Sequence, residues 1–190
     1  GGGFQYESRI VDIISNYEST NYNFKFFSFN KHIINDYKIN KVEIHYIYEN
    51  RLSKIYRHLL RIPAIFKISN RLKFGYSKIE ETLLKKHKTD LVYFLSPSTY
   101  AIDFINIPYI ITIWDLSHRD YNEFPEVRNN KSFENKEYFY NIVLKKAISI
   151  TTDSELGKKN IARRYGIDHS RIQILKFLPR IDRNHNKNSI

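Results

Sequence analysis

Asp115, His118 and Arg119 stand close together directly after an apolar run, Tyr109-Ile-Ile-Thr-Ile-Trp114. Asp115 and His118 are side-chain types that move protons or orient a reacting hydroxyl. The run reads as a buried strand, which puts all three on the loop leaving its carboxyl end. Open α/β sheets bind ligands at that rim, because strand ends and helix N-termini converge there around a crevice. The same pattern also describes an ordinary strand followed by a solvated loop, and a His beside an Asp can be a structural hydrogen-bonded pair. No second His stands at metal-ligand spacing, so no metal site is expected.

Two further clusters fit the same rim. Thr152-Asp153-Ser154-Glu155 lies between a short apolar strand and a helix. Asp153 or Ser154 can simply cap that helix; alternatively, Ser154 and its neighbouring N–H groups point into the crevice shared with Asp115 and His118. Gly1-Gly2-Gly3 opens onto another helix. Glycines there let a loop approach a ligand closely while the helix offers unpaired N–H groups. A frayed or engineered terminus has the same appearance.

The elements that must position these groups follow from hydrophobic spacing. Ile10, Ile13, Ile14 and Tyr17 recur at helical intervals and predict a helix over 4–17. Strands are expected at 21–30, 41–48, 90–95, 109–114, 148–152 and 171–175. Helices are expected at 51–62, 77–87, 134–147 and 154–165, the last closed by Gly166 as a left-handed C-terminal residue. Alternating strands and helices without internal repeats predict an α/β fold with a parallel, doubly wound sheet. Residues 1–182 read as one domain and 183–190 as a polar tail or the start of a linker.

The order of the pieces carries more than each alone. The glycine opening is followed by Ile107-Pro-Tyr-Ile-Ile-Thr-Ile-Trp-Asp-Leu-Ser-His-Arg119, Phe124-Pro-Glu126 and a Tyr-rich helix. Then come Ala147-Ile-Ser-Ile-Thr-Thr-Asp-Ser-Glu-Leu-Gly-Lys-Lys-Asn-Ile161 and Tyr165-Gly-Ile-Asp168 before Arg171-Ile-Gln-Ile-Leu175. This series resembles the amino-terminal half of a GT-B glycosyltransferase, and within that class the retaining glycosyltransferase family 4. The likeness covers roughly residues 90–178 in order, plus the glycines.

That resemblance implies two facing Rossmann-like domains, the amino-terminal one binding the acceptor and the carboxyl-terminal one the nucleotide sugar. It implies that Gly1, Gly2 and Gly3 contact the acceptor or the donor diphosphate. Trp114, Asp115, Ser117 and His118 would line the cleft with Ser154 and Glu155, and Asp115 and His118 are the candidate catalytic residues. Trp114 stands where many members carry a His, so that imidazole's role does not carry over. The donor half is missing from these residues. No cofactor is therefore expected on this domain, and no activity from it alone; the nucleotide sugar belongs to the intact enzyme. The family's first strand, which precedes the glycine loop, is missing as well, and its absence would leave two strand edges open within the sheet. With no methionine in the chain, Gly1 is not expected to be the natural start of translation.

Composition narrows the partners. The 190 residues contain no cysteine, which excludes disulfides, thiolate metal sites and a cysteine nucleophile. Hydrophobic residues make up 42%, enough for a core, and no run of 18 apolar residues exists to span a bilayer. The net charge of +11 is concentrated: residues 51–88 hold eleven Lys/Arg against two Glu, and residues 158–190 hold nine Lys/Arg against two Asp. Such blocks suit a polyanionic partner. In 51–62 the residues Leu52, Ile55, Tyr56, Leu59 and Leu60 share one side, flanked by Arg51, Lys54, Arg57, His58 and Arg61; Ile65 and Phe66 extend the apolar surface. This pattern fits a helix lying among lipid headgroups.

The expected protein is therefore the acceptor-binding domain of a bacterial-type enzyme of polysaccharide biosynthesis. It would transfer a hexose to a lipid-linked or cell-surface saccharide, in the cytoplasm and peripherally at the inner face of the cell membrane. Two other readings stay open: a non-catalytic α/β ligand-binding domain, and a basic nucleic-acid-binding module. Against the last, the aromatics lie in apolar strands rather than interleaved with cations on one exposed face, so no nucleic-acid partner is expected.

Overall fold

In the computed structural model the described residues are 2–29, 44–48, 51–60, 77–102, 104–121, 123–129 and 132–176, with 62, 64, 65 and 68 besides. The elements in chain order are α1 Gly2–Ser15, β1 Phe26–Ser28, β2 Ile44–Tyr46, α2 Arg51–Leu60, α3 Ser77–Lys86, β3 Val92–Phe94 and β4 Tyr109–Thr112. They continue with α4 Ser117–Asp120, α5 Pro125–Arg128, α6 Ser132–Lys146, β5 Ser149–Thr152, α7 Glu155–Tyr165 and β6 Ile172–Ile174. Gly1, Arg61, Phe66 and the tail 183–190 lie outside the described residues.

The fold is α/β with parallel sheets, as the alternation of elements predicts. Strands β3-β4-β5-β6 lie side by side in that order, all parallel, with Phe94 opposite Ile111, Thr112 opposite Thr151 and Thr152 opposite Ile174. Strands β1 and β2 form a separate parallel pair. Within the four-stranded sheet the strands follow chain order without reversal, so the switch of direction that defines double winding does not fall among them.

The two faces of this sheet differ in chemistry, because side chains alternate along a strand. One face carries Tyr109, Ile111, Ile113, Ile150 and Ile172, which pack with Val143 and Leu144 of α6 and Ile161 and Ala162 of α7 in one buried cluster. Truncating a side chain such as Leu144 to Ala costs about 2–5 kcal/mol in a core of this kind. Tyr109 serves the same interface with its hydroxyl, which donates to the Val143 carbonyl at 2.8 Å. The opposite face carries hydroxyls. Thr112 and Thr151 are 2.7 Å apart, and the Tyr93 hydroxyl lies 3.2 Å from Thr112 and 3.1 Å from Thr151. Buried Tyr6 of α1 lies against all three, and burial pushes its phenol well above the ordinary range.

Local devices fix the ends of the elements. Ser154 is the N-cap of α7, its hydroxyl accepting from the Gly157 N–H at 3.1 Å, and Gly166 closes the helix at φ 64°. Arg171 donates to the Leu144 and Lys145 carbonyls at 3.1 and 3.2 Å and to that of Ala147, satisfying the end of α6. Buried Glu81 of α3 accepts from the N–H groups of Ile105, Asn106 and Ile107 at 2.7, 2.8 and 3.2 Å and from the Asn106 amide at 2.8 Å. Burial works against its charge, yet these donors hold the carboxyl below its ordinary range.

Three expectations need correction. The helix expected over 4–17 begins at Gly2, so Gly2 and Gly3 form its first turn rather than a loop before it. The strand expected over 21–30 shortens to Phe26–Ser28, because the Ser19 hydroxyl accepts from the N–H groups of Asn21 and Tyr22 and curls the preceding segment into a turn. The expected loop after β4 contains two short helices, α4 and α5, the second started by Pro125 at its first position.

Candidate functional site at the carboxyl rim of the sheet

Parallel pairing sets the geometry of the rim. Strands β4 and β5 end together, and their last rung is the Ile113 N–H donating to the Thr151 carbonyl at 2.8 Å. The turn from Trp114 to Ser117 and the turn from Asp153 to Glu155 therefore leave the same edge side by side. Helix α1 meets them: the Trp114 indole packs edge-on against Tyr6, with ring centroids 6.5 Å apart. Gly3 lies so close to that indole that a β-carbon on it would stand 2.5 Å from Cζ3. The first turn of α1, with its unpaired N–H groups, thus abuts the end of β4. The Trp114 Nε1 is buried and has no hydrogen-bond partner among the described residues.

The rim offers mostly acceptors. Asp115 is exposed, and its Oδ1 accepts from the Ser117 N–H at 2.9 Å, leaving the second oxygen toward solvent. Asp153 and Glu155 are exposed one strand away, with the Ser154 hydroxyl donating to Asp153 Oδ1 at 2.9 Å. Three carboxylates and an indole are suited to hydroxyl donors and an apolar ring face. They do not make a nest for a phosphate. Ser154 is engaged as a helix cap.

His118 takes a different place from the one its spacing with Asp115 suggests. It is 1% exposed, and its Nε2 lies 2.7 Å from Glu137 Oε1, not against Asp115. Glu137 also accepts from Arg119 Nε at 2.6 Å, from Arg119 Nη2, and from the Tyr165 hydroxyl at 2.9 Å. Tyr140 stacks on the imidazole at 5.3 Å between centroids, and the Arg119 guanidinium lies 5.1 Å over the Tyr165 ring. Burial lowers the His118 pKa below its ordinary value, against the pull of Glu137. Burial opposes ionisation of Glu137, but its donors hold the carboxyl below its ordinary range. Burial pushes the Tyr140 phenol up to about 12. A neutral imidazole with Nε2 donating to an ionised Glu137 agrees with both shifts. The cluster ties α4 to α6 and α7, and the Arg164–Asp120 ion pair adds a second tie between α4 and α7. It stiffens the turn that bears Asp115.

Glu137 and Tyr165 escaped the sequence reading. Glu137 stands 19 and 18 residues from its partners His118 and Arg119, and its position in α6 carries no local signature. Among the described residues no group of three or more His, Asp or Glu could hold a metal ion.

The basic helix α2 is the other element singled out by the sequence. Its side chains Arg51, Lys54 and His58 are exposed, and of its apolar stripe Leu52 is 62%, Ile55 57% and Leu59 42% exposed, while the side chains of Tyr56 and Leu60 lie outside those described. Ile65 is half-buried; the side chain of Arg57 is not among those described. No helix among the described residues is long and apolar enough to cross a membrane.

No protein family, curated protein or solved structure matches this chain.

Proposed function

We propose that this chain is the acceptor-binding domain of a retaining GT-B glycosyltransferase, one Rossmann-like half of the enzyme. The intact protein would transfer a hexose from a nucleotide sugar to a lipid-linked or cell-surface saccharide. The observation that carries the reading is the shared rim: the Trp114–Ser117 and Asp153–Glu155 turns leave adjacent parallel strands, with the first turn of α1 against Trp114.

In this reading Asp115, Glu155 and the Trp114 indole receive the acceptor sugar, and the α1 N–H groups face the leaving diphosphate across the cleft. His118 acts indirectly, by holding the Asp115 turn. The exposed apolar stripe and cations of α2 support attachment to an anionic membrane, where a lipid-linked acceptor is met.

The test uses the natural protein that contains this segment, incubated with membranes and radiolabelled UDP-glucose, UDP-galactose, UDP-N-acetylglucosamine or GDP-mannose. Transfer with retained anomeric configuration supports the proposal, as does a loss of about tenfold or more in Asp115→Asn with Tm unchanged. A folded protein that transfers none of the four sugars overturns it.

A further inference from the structure

Far from the rim, the segment after α1 forms an open groove of about 810 Å³ lined by residues between Ile14 and Phe26. It lies at the carboxyl end of α1, about 18 Å along the helix from Gly3 by the rise of an α-helix. Tyr17, Tyr22 and Phe24 line it and are 60%, 68% and 44% exposed, a concentration of aromatic surface that folding alone does not require. Phe24 has its ring centroid 6.3 Å from both Tyr17 and Tyr22. The Ser19 hydroxyl accepts from the Asn21 and Tyr22 N–H groups at 3.1 and 3.0 Å, which sets the turn before any ligand arrives.

We propose that this groove is a second saccharide-binding site, taking a neutral oligosaccharide chain. A pyranose presents an apolar C–H face and a ring of hydroxyls that both donate and accept. The three aromatic rings supply the first match. The Glu18 carboxylate, the Asn23 amide and the Tyr22 hydroxyl supply the second, and none of these has a hydrogen-bond partner among the described residues. Among the described residues no Lys or Arg lines the groove, and neighbouring Lys25 is engaged, donating to the His87 carbonyl at 2.8 Å, so the described lining offers a polyanion no counter-charge. A polyproline helix also docks on aromatic grooves, but it offers only carbonyl acceptors. The acceptor-only carboxylate of Glu18 then has nothing to receive. The volume falls in the range of ligand sites, roughly 300–1,000 Å³. The assignment does not depend on the transferase reading.

The test is an amide-resolved NMR titration of the 15N-labelled chain with maltohexaose, cellohexaose, mannohexaose and chitohexaose, and with decaproline as comparator. At least one hexasaccharide is expected to move the Ser19–Phe24 amides with a Kd of about 1 mM or tighter. Tyr22→Ala should weaken that binding about tenfold or more, and Tyr22→Phe by less. Position 22 is exposed, so both variants retain the fold, which the unshifted remaining amides verify. The proposal is overturned by no shift with any hexasaccharide up to 20-fold above about 1 mM, by shifts indifferent to Tyr22→Ala, by shifts confined to the Asp115 rim, or by decaproline binding alone.

Discussion

Gly3 and the Trp114 indole are in contact so close that no other residue type fits at position 3 without displacing the ring. The glycine is needed for proximity, since a helix start tolerates many residues but this one rests on an indole. Gly3→Ala gains up to about 1 kcal/mol of helix propensity and loses about 1–3 kcal/mol by overpacking. A net fall in Tm is expected, together with a red shift in emission from the only tryptophan of the chain as the ring is pushed toward water. Unchanged emission and Tm would mean that α1 does not seat on Trp114.

Glu137 holds three side chains at once, so its loss should be felt beyond its own position. Glu137→Ala leaves Arg119, His118 and the Tyr165 hydroxyl without their acceptor. Destabilisation of about 2–3 kcal/mol is expected from urea unfolding, kept at that level because Arg119 is a third exposed and recovers water. A double-mutant cycle with Tyr165→Phe should give a coupling of about 0.5 kcal/mol or more; additivity would dissolve the cluster as a unit.

The pH dependence has one direction. His118 has a folded pKa below its ordinary 6.5, so the unfolded chain takes up that proton first, and stability falls as pH drops below 6.5. Glu81 and Glu137 have folded values below their ordinary 4.5; their stabilisation is complete above that value and is lost as pH falls through the lowered ones. Tm should be flat from pH 7 to 8, decline from about 6.5 and drop more steeply below about 4.5. The His118→Gln protein should lack the first decline, as read by circular-dichroism melts. A Tm that rises on acidification would contradict the neutral, buried imidazole.

Helix α2 presents apolar residues and cations to solvent together, and this can be read on vesicles. Sedimentation with phosphatidylglycerol vesicles should pull down the chain, with little bound to phosphatidylcholine alone; each cation near an anionic leaflet is worth about 1 kcal/mol. Ile55→Asp, at an exposed position, should weaken binding about tenfold or more without moving Tm. Negligible binding to both vesicle types ends the membrane assignment.

Much of the fold was legible because its signals are local. The apolar run at 109–114 stops at the polar Asp115, as a buried strand does on reaching its rim, Ser154 stands at the start of a helical pattern, and Gly166 at its end. The placement of Asp115 and Ser154 on one rim followed from strand alternation alone. Less was legible where the partner is distant. Glu81 looks like one more charge on a basic helix, and only the chain path brings Ile105–Ile107 over its carboxylate. His118 read as a neighbour of Asp115, three residues away, yet a helical turn rotates it inward to a glutamate on α6. The glycines read as a flexible ligand loop; at Gly3 the steric reason is an aromatic ring more than a hundred residues further on.

That separation sets a timetable for synthesis. Tyr6 lies against Tyr93, Thr112 and Thr151, so helix α1 has no complete seat until residue 151 has followed it out of the ribosome. Until then its buried side, with Ile10 and Val11, is left bare. The nascent chain must shelter that side or delay forming it, because α1 is made well before the strands it rests on.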